Sequence, residues 1–177
     1  LKGDDPGFDF LGFNIRQHEV GKYKTGKKTK GKPLGFKTII KPSRKAVPTH
    51  YQKLKGIIDS HKAASQEGLI KHLNPVIRGW CNYYSTVVSK EVFSHLDVLL
   101  YWKLARWGRK RHPNKTGKWV ARKYWQTIGN CKWVFATRSE NNPMQLKIHS
   151  EIPIVRHVKV KDEASPYDGN LKYWSSR

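Results

Sequence analysis

The sequence predicts a mainly α protein with small β parts: a three-helix bundle, preceded by a β-hairpin and followed by a small basic α+β module. Three observations lead there. Apolar residues recur at three-four spacing through the middle of the chain. Short aromatic and β-branched runs flank that region on both sides, and hydrophobic residues make up 37% of the 177 positions, enough for one or two small cores.

Phe8-Asp9-Phe10-Leu11-Gly12-Phe13-Asn14-Ile15-Arg16 and Phe36-Lys37-Thr38-Ile39-Ile40-Lys41 have strand character, and the two runs can pair as a hairpin. Between them, residues 17–35 are mostly Lys and Gly, a long loop without a structural signal of its own. Pro42-Ser43 ends the strand region. A helix is expected over 49–64, with Tyr51, Leu54, Ile57 and Ile58 on one side. After Gln66-Glu67-Gly68 the strongest rhythm begins: Leu69, Leu73, Val76/Ile77, Trp80, Tyr83/Tyr84 and Val87. Asn74-Pro75 suits a helix start, so the main helix is placed from Asn74, with a kink as the alternative. A third helix fits 90–111, its inward positions Val92/Phe93, Leu96, Leu99/Leu100, Leu104 and Trp107. His112-Pro113-Asn114 stops it, and 119–125 forms a shorter fourth helix before Gly129. Period-two alternation then appears at 131–136 and 158–161, and Ser165–Asn170 has turn composition.

Charge narrows the functional classes. With 35 Lys+Arg against 13 Asp+Glu the chain carries +22, far more than solubility requires, which points to a polyanionic partner. The cations fall in two acid-free stretches. One runs from Lys22 to Asp59 and includes Lys22, Lys24, Lys27, Lys28, Lys30, Lys32, Lys37, Lys41, Arg44 and Lys45. The other, between Asp97 and Glu140, includes Lys103, Arg106, Arg109, Lys110, Arg111, Lys115, Lys118, Arg122, Lys123, Lys132 and Arg138. Interleaved Trp and Tyr favour nucleic acid over an anionic membrane, and no apolar run is long enough for a membrane span.

Catalytic readings fare poorly. Cys81 and Cys131 stand alone, which excludes a zinc finger or disulfide framework and fits a reducing compartment, and the eight His are expected at the surface rather than on a metal. Gly3-Asp4-Asp5 has the form of polymerase aspartates but sits beside Pro6 in a chain where acids are scarce. No nucleophile elbow or phosphate loop is present, so the segment is expected to be non-catalytic by itself and to hold no cofactor. In the second helix Arg78, Asn82, Ser85 and Ser89 form a narrow polar ridge opposite the apolar stripe, able to enter an RNA minor groove. Gly79 within that helix points to the close approach of another backbone.

The run 8–16, then Leu73-Asn74-Pro75-Val76-Ile77-Arg78-Gly79-Trp80-Cys81-Asn82-Tyr83-Tyr84, then Trp107–Lys115 and Ser165-Pro166-Tyr167-Asp168-Gly169, resemble the later half of group II intron-encoded reverse transcriptase/maturases. The match runs in order along essentially the whole chain, and the second motif resembles the maturase-specific (X, or thumb) signature. The resemblance implies four regions: the end of a reverse transcriptase palm with the Lys-rich loop (1–45), the maturase X/thumb helices (46–113), a basic DNA-binding region (114–164), and a linker toward an endonuclease domain (165–177).

It further implies that the polymerase aspartates lie upstream and the endonuclease downstream, and that Mg²⁺ serves that polymerase domain and the intron RNA. The expected partners are group II intron RNA, template-primer and target DNA, with no membrane partner, in a bacterial or organellar, cytoplasmic and nucleoid-associated setting. Leu11, Gly12 and Phe13 would support the primer side. The first basic stretch and the ridge would meet RNA, and residues from Lys103 to Lys123 would meet DNA. Cys81 stands where a smaller residue such as Ala is expected. Two rivals remain: a sequence-specific DNA-binding module unrelated to splicing, and a complete polymerase, which would extend DNA on an RNA template with Mg²⁺.

Overall fold

The computed structural model describes residues 7–21, 23–25, 27, 31–138, 143–155, 167 and 169–175. It is mainly helical, with a three-stranded sheet before the helices and a two-stranded one after. The Asp4-Asp5 pair, the 158–161 alternation, and Lys22, Lys28 and Lys30 lie outside the described residues.

The first aromatic run is two strands, β1 (Gly7–Phe10) and β2 (Phe13–Glu19), which pair antiparallel with Phe10 opposite Phe13. Leu11 (φ 46°) and Gly12 (φ 82°) form the two-residue link, both left-handed as such a tight hairpin requires. A leucine there is unfavourable by about 1–2 kcal/mol, and distant residues hold it. Tyr83 Oη donates to the Leu11 carbonyl at 2.8 Å, and Tyr84 Oη donates to the Gly12 carbonyl at 3.0 Å. β3 (Phe36–Pro42) pairs antiparallel with β2 from Phe13↔Pro42 to Glu19↔Phe36, giving the order β1-β2-β3. Described residues of the connecting loop bond across it. Val20 N–H donates to Gly35 O, Lys27 bridges to Pro33, and Gly35 N–H donates to Thr25 Oγ1.

Gly12 leaves no room for a side chain, because an added Cβ would lie 2.7 Å from Tyr84 Oη and the φ disfavours any side chain. Gly12→Ala is expected to destabilise the fold by about 1–2 kcal/mol. An unchanged denaturation midpoint would show that the turn is not held as described.

The helices are α1 (Ala46–Ser60), α2 (Gln66–Tyr84), α3 (Lys90–Arg111) and α4 (Gly117–Tyr124). α3 has the predicted bounds. α2 does not start at Asn74: it begins after Ser65, whose hydroxyl accepts from Gly68 N–H, and runs through Pro75. Proline inside a helix costs about 3 kcal/mol. Leu69, Ile70, Leu73, Ile77, Cys81 and Tyr84 are buried on both sides of it, and each such side chain contributes about 1.5–3 kcal/mol, so burial outweighs the break. Asn74 caps no helix. Its side chain donates to Gln145 O and accepts from Lys147 N–H, tying the C-terminal segment to α2.

The core joins Leu54 and Ile58 of α1, the buried stripe of α2, and Phe93, Leu100, Leu104 and Trp107 of α3. It continues into Val120 and Tyr124 of α4. Gly108 lets α4 approach, since a Cβ there would meet Val120 Cγ1 at 2.9 Å. Trp125, expected in the fourth helix, instead begins β4 (Trp125–Ile128), which pairs with β5 (Cys131–Phe135). The expected alternation at 131–136 breaks down. Trp133 adopts φ 64° and stays exposed, while Val134, Phe135 and Ala136 are all buried. A 3₁₀ turn (His149–Glu151) packs on α3, and a short α5 (Leu171–Trp174) follows.

Candidate nucleic-acid interface

Two surfaces collect the sequence-predicted residues. The first is an open groove of about 930 Å³ bounded by the β1–β2 link, the start of α1 and the middle of α2. Leu11 and Gly12 form one lip, Lys45 stands just before α1 and Lys53 on it, and Gly79, Trp80 and Tyr83 of α2 line the other side. Phe13 sits beneath, stacked on Tyr83 with ring centroids 5.0 Å apart and edge-on to Tyr84. Apolar side chains stay uncovered at this lip, Leu11 at 70% exposure and Tyr83 at 50%. Exposed aromatic faces beside lysines suit bases and phosphates.

Gly79 meets nothing within 4 Å, so the expected close approach of another helix is absent among the described residues, and its backbone is open to the groove. On the same helix Arg78 and Asn82 are exposed, as the ridge requires. The ridge ends there. Ser85 is the C-cap and donates to Asn82 O, and Ser89 lies beyond α2, 1% exposed, donating to Tyr84 O at 2.7 Å. Ser89 is thus a buried structural hydroxyl and is removed from the RNA-facing set. Of the first basic stretch, Lys24, Lys27, Lys32, Lys37, Arg44 and Lys45 are exposed and Lys41 is half-buried.

Beneath the groove lies a polar network that sequence spacing hides. Asp97 of α3 accepts from His149 N–H, from His149 Nδ1 at 2.7 Å and from Ser150 N–H. His149 Nε2 is 3.0 Å from His50 Nε2, and the His50 ring stacks on Trp80 at 4.5 Å. Both imidazoles are buried, which corrects the expectation of surface histidines, and His50 also lines the groove. Burial, followed by the charges of His149 and Lys53, pushes His50 down to about 3. Burial alone would raise Asp97, but hydrogen bonds from His149 and Ser150 outweigh it and hold the carboxyl below its usual range.

Both depressions carry the same sign for stability. In the unfolded chain His50 gains a proton near pH 6.5, while the folded ring resists it until about 3. Stability is therefore complete above 6.5 and is lost as pH falls toward 3, and Asp97 adds to the loss below its ordinary 3.8. Thermal melts should show the midpoint dropping across this window, and His50→Gln should flatten the drop. An equal slope in that variant would rule out His50 as its source.

The second surface spans the end of α3, the α3–α4 loop and α4. Arg106, Arg109, Lys110, Lys115, Lys118, Arg122 and Lys123 are all exposed there. Two predicted members have internal duties. Lys103 pairs with Asp59 at 2.6 Å, and that bond lowers the Asp59 carboxyl. Arg111 donates to the carbonyls of Lys62 and Ala64 and lies over the Trp107 ring, tying α3 to the α1–α2 loop. Thr116 caps the start of α4 by accepting from Trp119 N–H, and Trp119 carries Lys123 at 5.1 Å and Lys115 at 5.6 Å over its ring. Burial and the charges of Lys123, Arg111 and Lys115 lower His112, which hydrogen-bonds Tyr124 Oη at 2.8 Å. Sequence reasoning misses Lys53, Trp119 and Gln66. Trp119 does carry a sequence signal, since Arg122 and Lys123 follow it at three and four positions.

Among the described residues no group of three or more His, Cys, Asp or Glu could hold a metal ion. No described helix is long and apolar enough to cross a membrane. Cys81 is fully buried, its thiol pushed up to about 12 chiefly by burial.

The sequence has counterparts among known proteins. The chain is 25% identical over 118 residues to the ribosomal operon-associated A protein of Euglena longa, a stretch that covers 66% of this chain and 23% of that protein. The chain thus matches about a quarter of that relative's length. Residues 47–125, which hold nearly all of α1 and the whole of α2, α3 and α4, match the family model described as "Group II intron, maturase-specific domain". Over these four helices the chain is similar to the group II intron maturase-specific domain.

Proposed function

We propose that this chain binds group II intron RNA and thereby promotes splicing, and that it also holds template-primer and target DNA during reverse transcription and homing of the intron. The observation that carries the reading is that maturase-type helices present two acid-poor cationic surfaces in which exposed aromatic side chains are set. Lysine and arginine neutralise phosphates and release counterions, which provides affinity without sequence preference. Shape then provides selectivity: the groove beside Gly79 accepts a sugar-phosphate backbone, and Arg78 and Asn82 reach 2′-hydroxyls in a shallow minor groove. The lip at Leu11, Gly12 and Phe13 faces the primer. The exposed cations from Arg106 to Lys123 face target DNA.

The chemical steps belong to the RNA and to a polymerase domain, with Mg²⁺ supplied there. This segment positions and does not react. Competition binding tests the reading. The chain should prefer folded group II intron RNA to random-sequence RNA of equal length. Preference for one duplex DNA sequence, with no discrimination between the RNAs, would instead favour a DNA reader unconnected with splicing.

A further inference from the structure

The second surface contains a built cavity distinct from its general charge. About 520 Å³ in volume, it is lined by Gln66, Trp119, Arg122, Lys123 and Arg138, and lies within the range of about 300–1,000 Å³ common for small-ligand sites. Three cations and an indole line it, with no carboxylate among them. Its parts come from three places in the chain. Trp119, Arg122 and Lys123 share one face of α4. Arg138, just past β5, reaches back and donates from Nη2 to the Arg122 carbonyl at 2.7 Å, which fixes its guanidinium at the end of α4. Gln66, at the start of α2, donates to the carbonyls of both Tyr124 and Ala136, so the floor is held by the packed body of the protein.

We infer that this cavity takes one unpaired nucleotide of a nucleic-acid strand, its base stacked on Trp119 and its phosphate between Arg122 and Arg138. A cavity with an aromatic wall and guanidinium groups matches that ligand on both of its chemical halves. A paired base in a duplex could not enter, because its faces are already covered by its neighbours. The lysines over the indole mark the ring as an electron-rich platform. A base that lands there displaces an ammonium, which then pairs with the phosphate. The inference rests on the proposed nucleic-acid function and adds a defined site and ligand class to it.

The test uses the whole chain and two unstructured 12-mers, one of ribouridine and one of thymidine, each carrying a central 2-aminopurine, with a 12-base-pair duplex as control. Trp119→Ala should weaken single-strand binding about 5- to 100-fold and abolish the fluorescence quenching of stacked 2-aminopurine. Trp119→Phe should retain much of both, and Arg122→Glu, an exposed change, should weaken binding without a loss of folding. Duplex binding should be nearly unaffected by Trp119→Ala. Loss confined to the ribose strand identifies RNA as the source of the nucleotide, loss confined to the deoxyribose strand identifies DNA, and loss on both shows a site that accepts either. Full affinity and quenching in Trp119→Ala on both strands would overturn the site alone. A wild-type chain that fails to bind folded intron RNA in the same buffer would overturn the proposed function as well.

Discussion

Raising salt from about 50 to 200 mM is expected to weaken the chain's hold on intron RNA by about 10³–10⁵-fold, the loss that follows from neutralising six to ten phosphates. The cations needed are present on one side alone. Of the eleven Lys and Arg between Asp97 and Glu140, Lys103 pairs with Asp59 and Arg111 is occupied by carbonyls, while the other nine are exposed. No acidic side chain in that interval offsets them. Neutralising Arg106, Arg109 and Lys110 together should reduce the slope of log affinity against log salt by about 0.7–0.9 for each phosphate that no longer meets a cation. Arg111→Gln should behave differently, costing stability more than it changes the slope, because its partners are the Lys62 and Ala64 carbonyls and the Trp107 ring. Filter binding across a salt series measures both. A slope near zero would mean that recognition does not rest on charge.

Phe93→Ala is expected to have the largest effect on folding, about 3–5 kcal/mol. The ring is fully buried in α3 and meets Trp80 of α2 at 5.7 Å, so truncation opens a cavity where the two helices meet. Small domains have about 5–15 kcal/mol in all, so this one change removes a large share. Arg78→Ala, exposed on the other side of α2, should shift the unfolding midpoint little while weakening RNA binding. Denaturant titration of both variants separates scaffold from binding surface. Equal destabilisation by the two would show that the ridge is packed rather than presented.

What composition and spacing reveal depends on how local the cause is. The bounds of α3 follow from its own residues: apolar positions at helical spacing, Glu91 in the first turn, and Arg109, Lys110 and Arg111 in the last, where they complement the helix dipole. The start of α2 could not be found that way. Asn74-Pro75 is a good local start, and only tertiary burial on both sides of it carries the helix through. The hairpin link is hidden for a similar reason, since Leu11 is a poor turn residue held by tyrosines 72 positions away. The same distance effect conceals the network under the groove, where His50 and His149 are 99 positions apart and meet only after folding. Positive φ at Trp133 and the bulge near Gln126 defeat the two-residue rhythm of β5. For the interface, charge runs locate the two surfaces. They cannot show that Ser89 faces inward or that Arg138 folds back against α4.

Crosslinking the chain to a folded group II intron RNA, followed by peptide mapping, tests the central claim most directly. Adducts are predicted on the open face of α2 around Arg78 and Asn82, along the groove at Lys45, Lys53 and Tyr83, and on α4. Adducts confined to segments outside these surfaces, with α2 and α4 unlabelled, would contradict the account.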